Sequence, residues 1–512
     1  MMKIFLQSCL VLCLATLHAC AAVDGRRPAQ GVFLMSNQAD NEIGVWHSDN
    51  DGSLVWNGRY STGGVGYPDP LDANNFNDLS SSNALHYHVW GDRQLLVAAN
   101  AGGPDNTPSV SLFEVDAYTL DLTLHAVAKV NGTFPCTATG HDDKVCVAAC
   151  AFNVQMECFR ITENPSALGL VPEYTYDFDM NLPEPEGRPN RVFFGLGPGN
   201  IAFAPDGDAV GIVMKGAHPD LAPEANDSAR AGLWMFPIVD NKNNATDGSI
   251  YQDPTFLEME DIAIPFAFAW RKREAKGSYF AFVVKAAGDS LDFPFCDLQE
   301  LALCYSTVAS IDVDLSPSLT APNDGDVAMV QVDEVKLNAI DGCWIDYRSG
   351  YLYTGNFFSD SVSILETATD GKLDVLRTVP LGKNTVVVDI VTMGPKLDGS
   401  RYLYSENQGR RAVGVQQILP EGKLKVLPEA ATPTGPTPDA WNGAMGLAAT
   451  TLSEQELFDL YGFEMDFGSS SSTEGDNSGT TSAASTSPRT FSFFFSTLTM
   501  LPFTLSLLLA HM

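Results

Sequence analysis

The 512-residue sequence is poor in positive charge: 30 Lys and Arg stand against 63 Asp and Glu, a formal net charge of −33. A surface of that sign repels nucleic acid and anionic lipid headgroups, so neither is an expected partner. Solubility in a salty exterior is the plain consequence, and a cation-binding surface the sharper one. No two cysteines stand two residues apart, and no His adjoins Cys150 or Cys158, which leaves zinc without a recognisable ligand set. There is no Gly-x-Ser-x-Gly elbow and no Walker loop. Gly195-Leu196-Gly197-Pro198-Gly199 is interrupted by proline and no helical pattern follows it, so it is not a dinucleotide fingerprint. No metal and no cofactor are expected.

Long apolar runs are confined to the two ends. Lys3, an apolar stretch over residues 4–17 and Ala19-Cys20-Ala21 form a secretory signal over residues 1–22. Residues 491–512 are rich in Phe and Leu; a polar spacer precedes them, and before it stand Asn477-Ser478-Gly479. Small site, spacer and apolar tail make a glycosylphosphatidylinositol signal with attachment at Asn477 or Ser478. A tail-anchoring helix is the competing reading, against which Pro502 and the missing basic flank argue. Residues 468–490 form a Ser/Thr-rich stalk, and 453–467 a connector with one short helix. The expectation is a monomeric protein held at the cell surface, on the plasma membrane or wall, by a lipid anchor. Asn131, Asn226 and Asn244 are glycosylation sequons. Disulfide candidates are Cys296 with Cys304, and some pairing among Cys136, Cys146, Cys150 and Cys158; Cys343, inside an apolar strand, is the odd thiol.

Between the ends the chain repeats. Residues 342–379 read as four short strands: Cys343-Trp344-Ile345-Asp346-Tyr347, Tyr351-Leu352-Tyr353-Thr354, Ser361-Val362-Ser363-Ile364-Leu365 and Lys372-Leu373-Asp374-Val375-Leu376. Aligned on the position after the second strand, seven units have anchors at Asn37, Asn100, Cys150, Lys215, Lys285, Asn356 and Asn407. Units of this kind cannot bury their own faces and must stack, which predicts an all-β, seven-bladed β-propeller of four-stranded blades over residues 30–452. The first unit lacks a first strand. The apolar segment Ala444-Met445-Gly446-Leu447-Ala448-Ala449-Thr450 is spare, so it is expected to complete blade one and lock the ring.

Several segments carry a family resemblance: Thr62-Gly63-Gly64-Val65-Gly66, Leu96-Val97-Ala98-Ala99-Asn100-Ala101-Gly102, Gly197-Pro198-Gly199-Asn200-Ile201-Ala202-Phe203-Ala204-Pro205-Asp206-Gly207, Pro265-Phe266-Ala267-Phe268-Ala269 and Gly342-Cys343-Trp344. Over about residues 30–450 the chain resembles the lactonase propellers, the group of 6-phosphogluconolactonase and 3-carboxymuconate lactonising enzyme, in their secreted branch. The resemblance implies a site of His, Arg and Glu side chains at the mouth of the ring. In this chain the first strand of the fourth unit offers Gly199-Asn200-Ile201, without a His.

Loops after second strands and loops between blades share one face, and the longest ones (residues 63–83, 180–199, 216–230 and 286–306) all belong to it. That face is expected to be the working one. His86 and His88 share one side of the innermost strand of blade two and are the acid–base candidates; a structural pair or a metal pair are the competing readings. Arg188 and Arg191 are placed to hold a carboxylate, or to form surface ion pairs. Lys215, Lys285, Asp341 and Asp389 are ligand-binding candidates beside a plain role in satisfying loops and turns. Blade six, with a short loop after its second strand, reads as scaffold. Two functions follow. One is hydrolysis of a lactone or cycloisomerisation of a muconate-type acid, with a small-molecule lactone or organic acid as partner. The other is a non-catalytic surface propeller that binds a ligand or a cell-surface partner.

Overall fold

The computed structural model describes residues 29–67, 79, 81–103, 105–164, 167–182, 196–216, 230–240, 249–259, 264–286, 305–317, 327–396, 399–432 and 444–450. The signal, connector, stalk and anchor segments lie outside the described residues, as do Arg188, Arg191, Asn226, Asn244, Cys296, Cys304, Asn477 and Ser478. No helix among the described residues is long and apolar enough to cross a membrane.

Blade one contains β1 (Gly31–Met35), β2 (Glu42–Ser48) and β3 (Leu54–Ser61). Blade two is β4 (Leu85–Trp90), β5 (Arg93–Asn100), β6 (Ser109–Val115) and β7 (Leu122–Lys129). Blade three is built from β8 (Thr133–His141), β9 (Lys144–Asn164) and β10 (Ala167–Leu182). The long β9 doubles back on itself. Its first half pairs with β8 and its second with β10. Phe152 between the halves has φ 49°. Cys146 and Cys158 are bridged across the fold-back with Cα atoms 4.1 Å apart, and Ile161 N donates to Asp143 O at 2.6 Å. The two halves are therefore the second and third strands of an ordinary four-stranded blade.

Blade four is β11 (Pro198–Phe203), β12 (Ala209–Met214) and β13 (Gly232–Asp240), with its outer strand split into β14 (Ser249–Tyr251) and β15 (Thr255–Glu258), both paired with β13. Blade five is β16 (Ile264–Lys272), β17 (Ser278–Ala286), β18 (Tyr305–Asp314) and β19 (Ala328–Ile340). Blade six is β20 (Gly342–Arg348), β21 (Tyr351–Asn356), β22 (Ser361–Thr367) and β23 (Leu373–Pro380). Blade seven is β24 (Val387–Met393), β25 (Arg401–Asn407), β26 (Ala412–Ile418) and β27 (Leu424–Ala431). The last strand, β28 (Leu447–Ala449), then joins blade one in the order β28-β1-β2-β3. It pairs Val32 with Ala449, Phe33 with Ala448 and Leu34 with Leu447, which is the closure the spare segment predicts.

Second strands are buried on both faces between neighbouring blades, so they read as near-continuous apolar runs, whereas outer strands such as β3 and β27 are half exposed. At the closing seam Val32, Leu34 and Trp46 of blade one pack on Met393, Tyr402 and Tyr404 of blade seven. Full burial of each such side chain contributes about 1.5–3 kcal/mol. The anchor asparagines tie the end of a second strand to the third. Asn100 Nδ2 donates to Ser109 and Ser111 at 3.1 and 2.8 Å, and Asn356 Nδ2 to Ser361 and Ser363 at 3.1 and 3.0 Å.

The segment entering blade two crosses the axis of the ring. Ser81 Oγ donates to Cys136 O of blade three at 2.6 Å, and Ser82 N to Gly199 O of blade four at 2.8 Å. Trp344 Nε1 of blade six donates to Ser81 O at 3.2 Å. Asn83, at φ 59°, accepts from Ala138 N at 2.8 Å. Backbone that touches three other blades at the starts of their first strands closes that end of the channel.

Candidate active site

Below this plug the seven first strands converge on a cavity of about 480 Å³. Its wall runs from Asn83 and Leu85 near the plug to the turn residues Asp142, Pro205 and Arg348. It therefore extends from the plug to the turns that follow the first strands. The long loops expected to mark the working face lie mostly outside the described residues.

Blade two contributes His86 and His88, their rings 6.2 Å apart and nearly parallel. Blade three adds His141, whose ring lies 6.0 Å from that of Phe203. His88 is 7% exposed, and neither of its ring nitrogens has a hydrogen-bond partner among the described residues. Burial pushes its pKa down to about 3, with His86 and His141 adding to the effect; the Asp142 backbone pulls weakly the other way without reaching the geometry of a hydrogen bond. His86 keeps partial exposure to the cavity, yet it sits deep enough that burial holds it at about 4. Burial also lowers His141, against the opposing pull of Asp142 first and of Asp206 and Asp208 behind it. All three imidazoles are neutral at neutral pH, each with one donor and one acceptor.

Blade six supplies Asp346, Tyr347 and Arg348 to the opposite wall. Blade six is thus part of the site and not scaffold alone. The Asp346 carboxylate accepts from Thr392 N at 2.6 Å, Thr392 Oγ1 at 2.8 Å and Tyr347 N at 2.7 Å. Burial nevertheless raises its pKa, which those bonds and Arg348 oppose. Blade five adds Trp270, partly exposed, with its Nε1 on Ala202 O at 3.4 Å.

His86 and His88 are therefore brought together as expected, and His141, Asp346 and Arg348 join them. The four ligand-binding candidates stand elsewhere. Lys215 is 3% exposed, lies 5.2 Å from the Phe266 ring centre, and is pushed by burial to about 7. Lys285 is paired with Glu334 at 2.9 Å, joining the second and fourth strands of blade five. Asp341, at φ 57°, accepts from Cys343 Sγ at 3.2 Å, and burial raises it to about 6. Asp389 accepts from Ile390 N at 2.9 Å and from Leu447 N at 3.0 Å, so it is a fastener of the closing strand; burial raises it to about 7. Cysteine pairing resolves as Cys136–Cys150 and Cys146–Cys158, with Cys343 free and buried. Asn131 is exposed and reaches Glu157 through Nδ2 at 3.2 Å. The described residues hold no group of His, Cys, Asp and Glu arranged for a metal ion.

No protein-family model matches the chain, and no curated protein matches its sequence. Solved structures do match. The chain is similar to a candidate 6-phosphogluconolactonase from Bacteroides fragilis, at 14% identity and TM-score 0.52, over 79% of this chain and 96% of that one. It is also similar to a periplasmic gluconolactonase from Pseudomonas aeruginosa, at 13% identity and TM-score 0.53, over 83% of this chain and 99% of that one. A protein from Lactobacillus plantarum matches at 14% identity and TM-score 0.50, over 83% of this chain and 99% of that one. At such identities the likeness shows a shared fold, the β-propeller.

Proposed function

We propose that this propeller is a lactonase-like enzyme that opens a small cyclic ester in the axial cavity. The observation that supports it most is the wall itself: neutral histidines from blades two and three share it with Arg348 on blade six, the one arginine among its described residues. In this scheme Arg348 polarises the lactone carbonyl. His141, closer to solvent and flanked by carboxylates, is a better base than His86 or His88, whose low pKa values leave them as hydrogen-bond partners. A water molecule gives its proton to His141 as its oxygen adds to the carbonyl carbon. The ring C–O bond then breaks, and the imidazolium returns the proton to the departing alkoxide. One lactone and one water yield one hydroxy acid.

The two disulfides of blade three support a secreted protein, since an oxidising compartment lets them form and persist. The cell-surface tether belongs to the same proposal and rests on the sequence. The test is turnover of a lactone panel by the full chain, with His141→Gln and Arg348→Met alongside. Loss of turnover in both variants is expected. A wild-type protein that opens no lactone sinks the enzyme proposal and leaves the non-catalytic binding function.

A further inference from the structure

We infer that the axial cavity takes an uncharged, polyhydroxylated ring and rejects phosphorylated or dicarboxylate ones. This rests on the cavity being the ligand site of the proposed function, and it narrows the substrate class.

Among the described residues the charged groups on the wall are Asp142, Asp346 and Arg348, one negative charge in excess. The three imidazoles add no positive charge at neutral pH. Two cations close to the wall are held by carboxylates: Lys144 lies 3.6 Å from Asp143, and Lys272 lies 2.6 Å from Asp206. A dianion would enter a site with one guanidinium to meet it, inside a protein of net charge −33. Its desolvation would go uncompensated and the surrounding field would oppose its approach.

The same wall suits a neutral ring with many hydroxyls. A neutral imidazole offers a hydroxyl either a donor or an acceptor, and the carboxylates accept from it. Trp270 and Tyr347 keep partial exposure on the wall, and the electron-rich faces of such rings accept the C–H edges of a sugar. His86, unlike the buried His88, keeps partial exposure on this wall and can meet a hydroxyl directly. The volume lies within the roughly 300–1,000 Å³ of small-molecule pockets.

The test uses the full chain and two probes that do not hydrolyse, glucono-1,5-lactam and its 6-phosphate, with affinity read by calorimetry at neutral pH and low salt. The lactam is expected to bind at least tenfold more tightly. Trp270→Ala should weaken the lactam tenfold or more. Asp142→Asn, which keeps a side chain suited to the φ of 49° there, should narrow the gap by improving the phosphate ester alone. Equal or tighter binding of the phosphate ester, or no binding of either probe, overturns the inference. Lactam binding without turnover of any lactone sinks the enzyme proposal and leaves this one standing. Turnover confined to phosphorylated lactones does the reverse.

Discussion

The imidazole of His88 fills the space that a side chain at Gly140 would need: a Cβ there would stand 2.3 Å from both its Cε1 and its Nδ1. Blade three thus uses the lack of a side chain to seat a ring from blade two. Gly140→Ala should displace the imidazole and destabilise the protein by about 1–3 kcal/mol, as overpacking does. His88→Ala should remove most of that cost. In a double-mutant cycle the two substitutions should couple by at least about 0.5 kcal/mol. Additive losses in chemical denaturation would mean that the ring does not rest on Gly140.

Acid should destabilise the fold through the same rings. Their folded pKa values, about 4 for His86 and about 3 for His88, lie below the ordinary 6.5. Between these limits the unfolded chain binds protons that the folded chain refuses, so stability falls as pH drops through the window from 6.5 to about 3. At about 1.4 kcal/mol per pKa unit, each ring accounts for a loss on the order of 3–5 kcal/mol. Asp341 and Asp389 act with the opposite sign. They are raised from 3.8 to about 6 and about 7, so the folded state takes the protons first and their contribution fades as pH rises across that range. Denaturation at several pH values should show a shallower acid slope for His88→Gln than for wild type. An unchanged slope would mean that the ring titrates normally in the folded state.

The ring was legible because its signals are local or periodic. Asn100 and Asn356 mark the ends of second strands, and the spare apolar segment at Leu447 announced its missing partner at Val32. The two cavity histidines were legible from their shared side of β4. What could not be read depends on contacts between residues far apart in the chain. Lys285 finds Glu334 only because the blade folds β17 and β19 onto β18. Asp346 and Arg348 look like ordinary strand-end residues until the seven first strands are set around one axis. One end of the channel is closed by Ser81, Ser82 and Asn83, whose small polar side chains give no local hint that their backbone crosses the ring.

Closure should depend on Asp389 more than its place at a strand start suggests. Its carboxylate receives Leu447 N of β28 and Ile390 N of β24, binding the last strand to blade seven as well as to blade one. Asp389→Ala leaves both N–H groups buried without an acceptor, a loss of about 1–3 kcal/mol each. Asp389→Asn keeps an oxygen and should lose less. Hydrogen exchange at Leu447 and Ala449 should rise in Asp389→Ala before exchange rises in blade four. Uniform loss of protection across all blades would show that Asp389 is no special fastener.

The plug should loosen when the Trp344–Ser81 hydrogen bond is removed. Trp344 is fully buried, and its Nε1 donates to Ser81 O at 3.2 Å while its ring packs on Phe266 at 5.5 Å. Trp344→Phe keeps the aromatic contact but leaves the Ser81 carbonyl without that donor, at a cost of about 1–3 kcal/mol. The segment through Ser82 and Asn83 should then exchange its amides faster, while the outer strands β3 and β27 stay as protected as before. Because the segment roofs the cavity, ligand affinity should fall together with that protection. If Trp344→Phe loosens the segment and affinity is unchanged, the roof plays no part in holding the ligand, and the wall from His86 to Arg348 holds it alone.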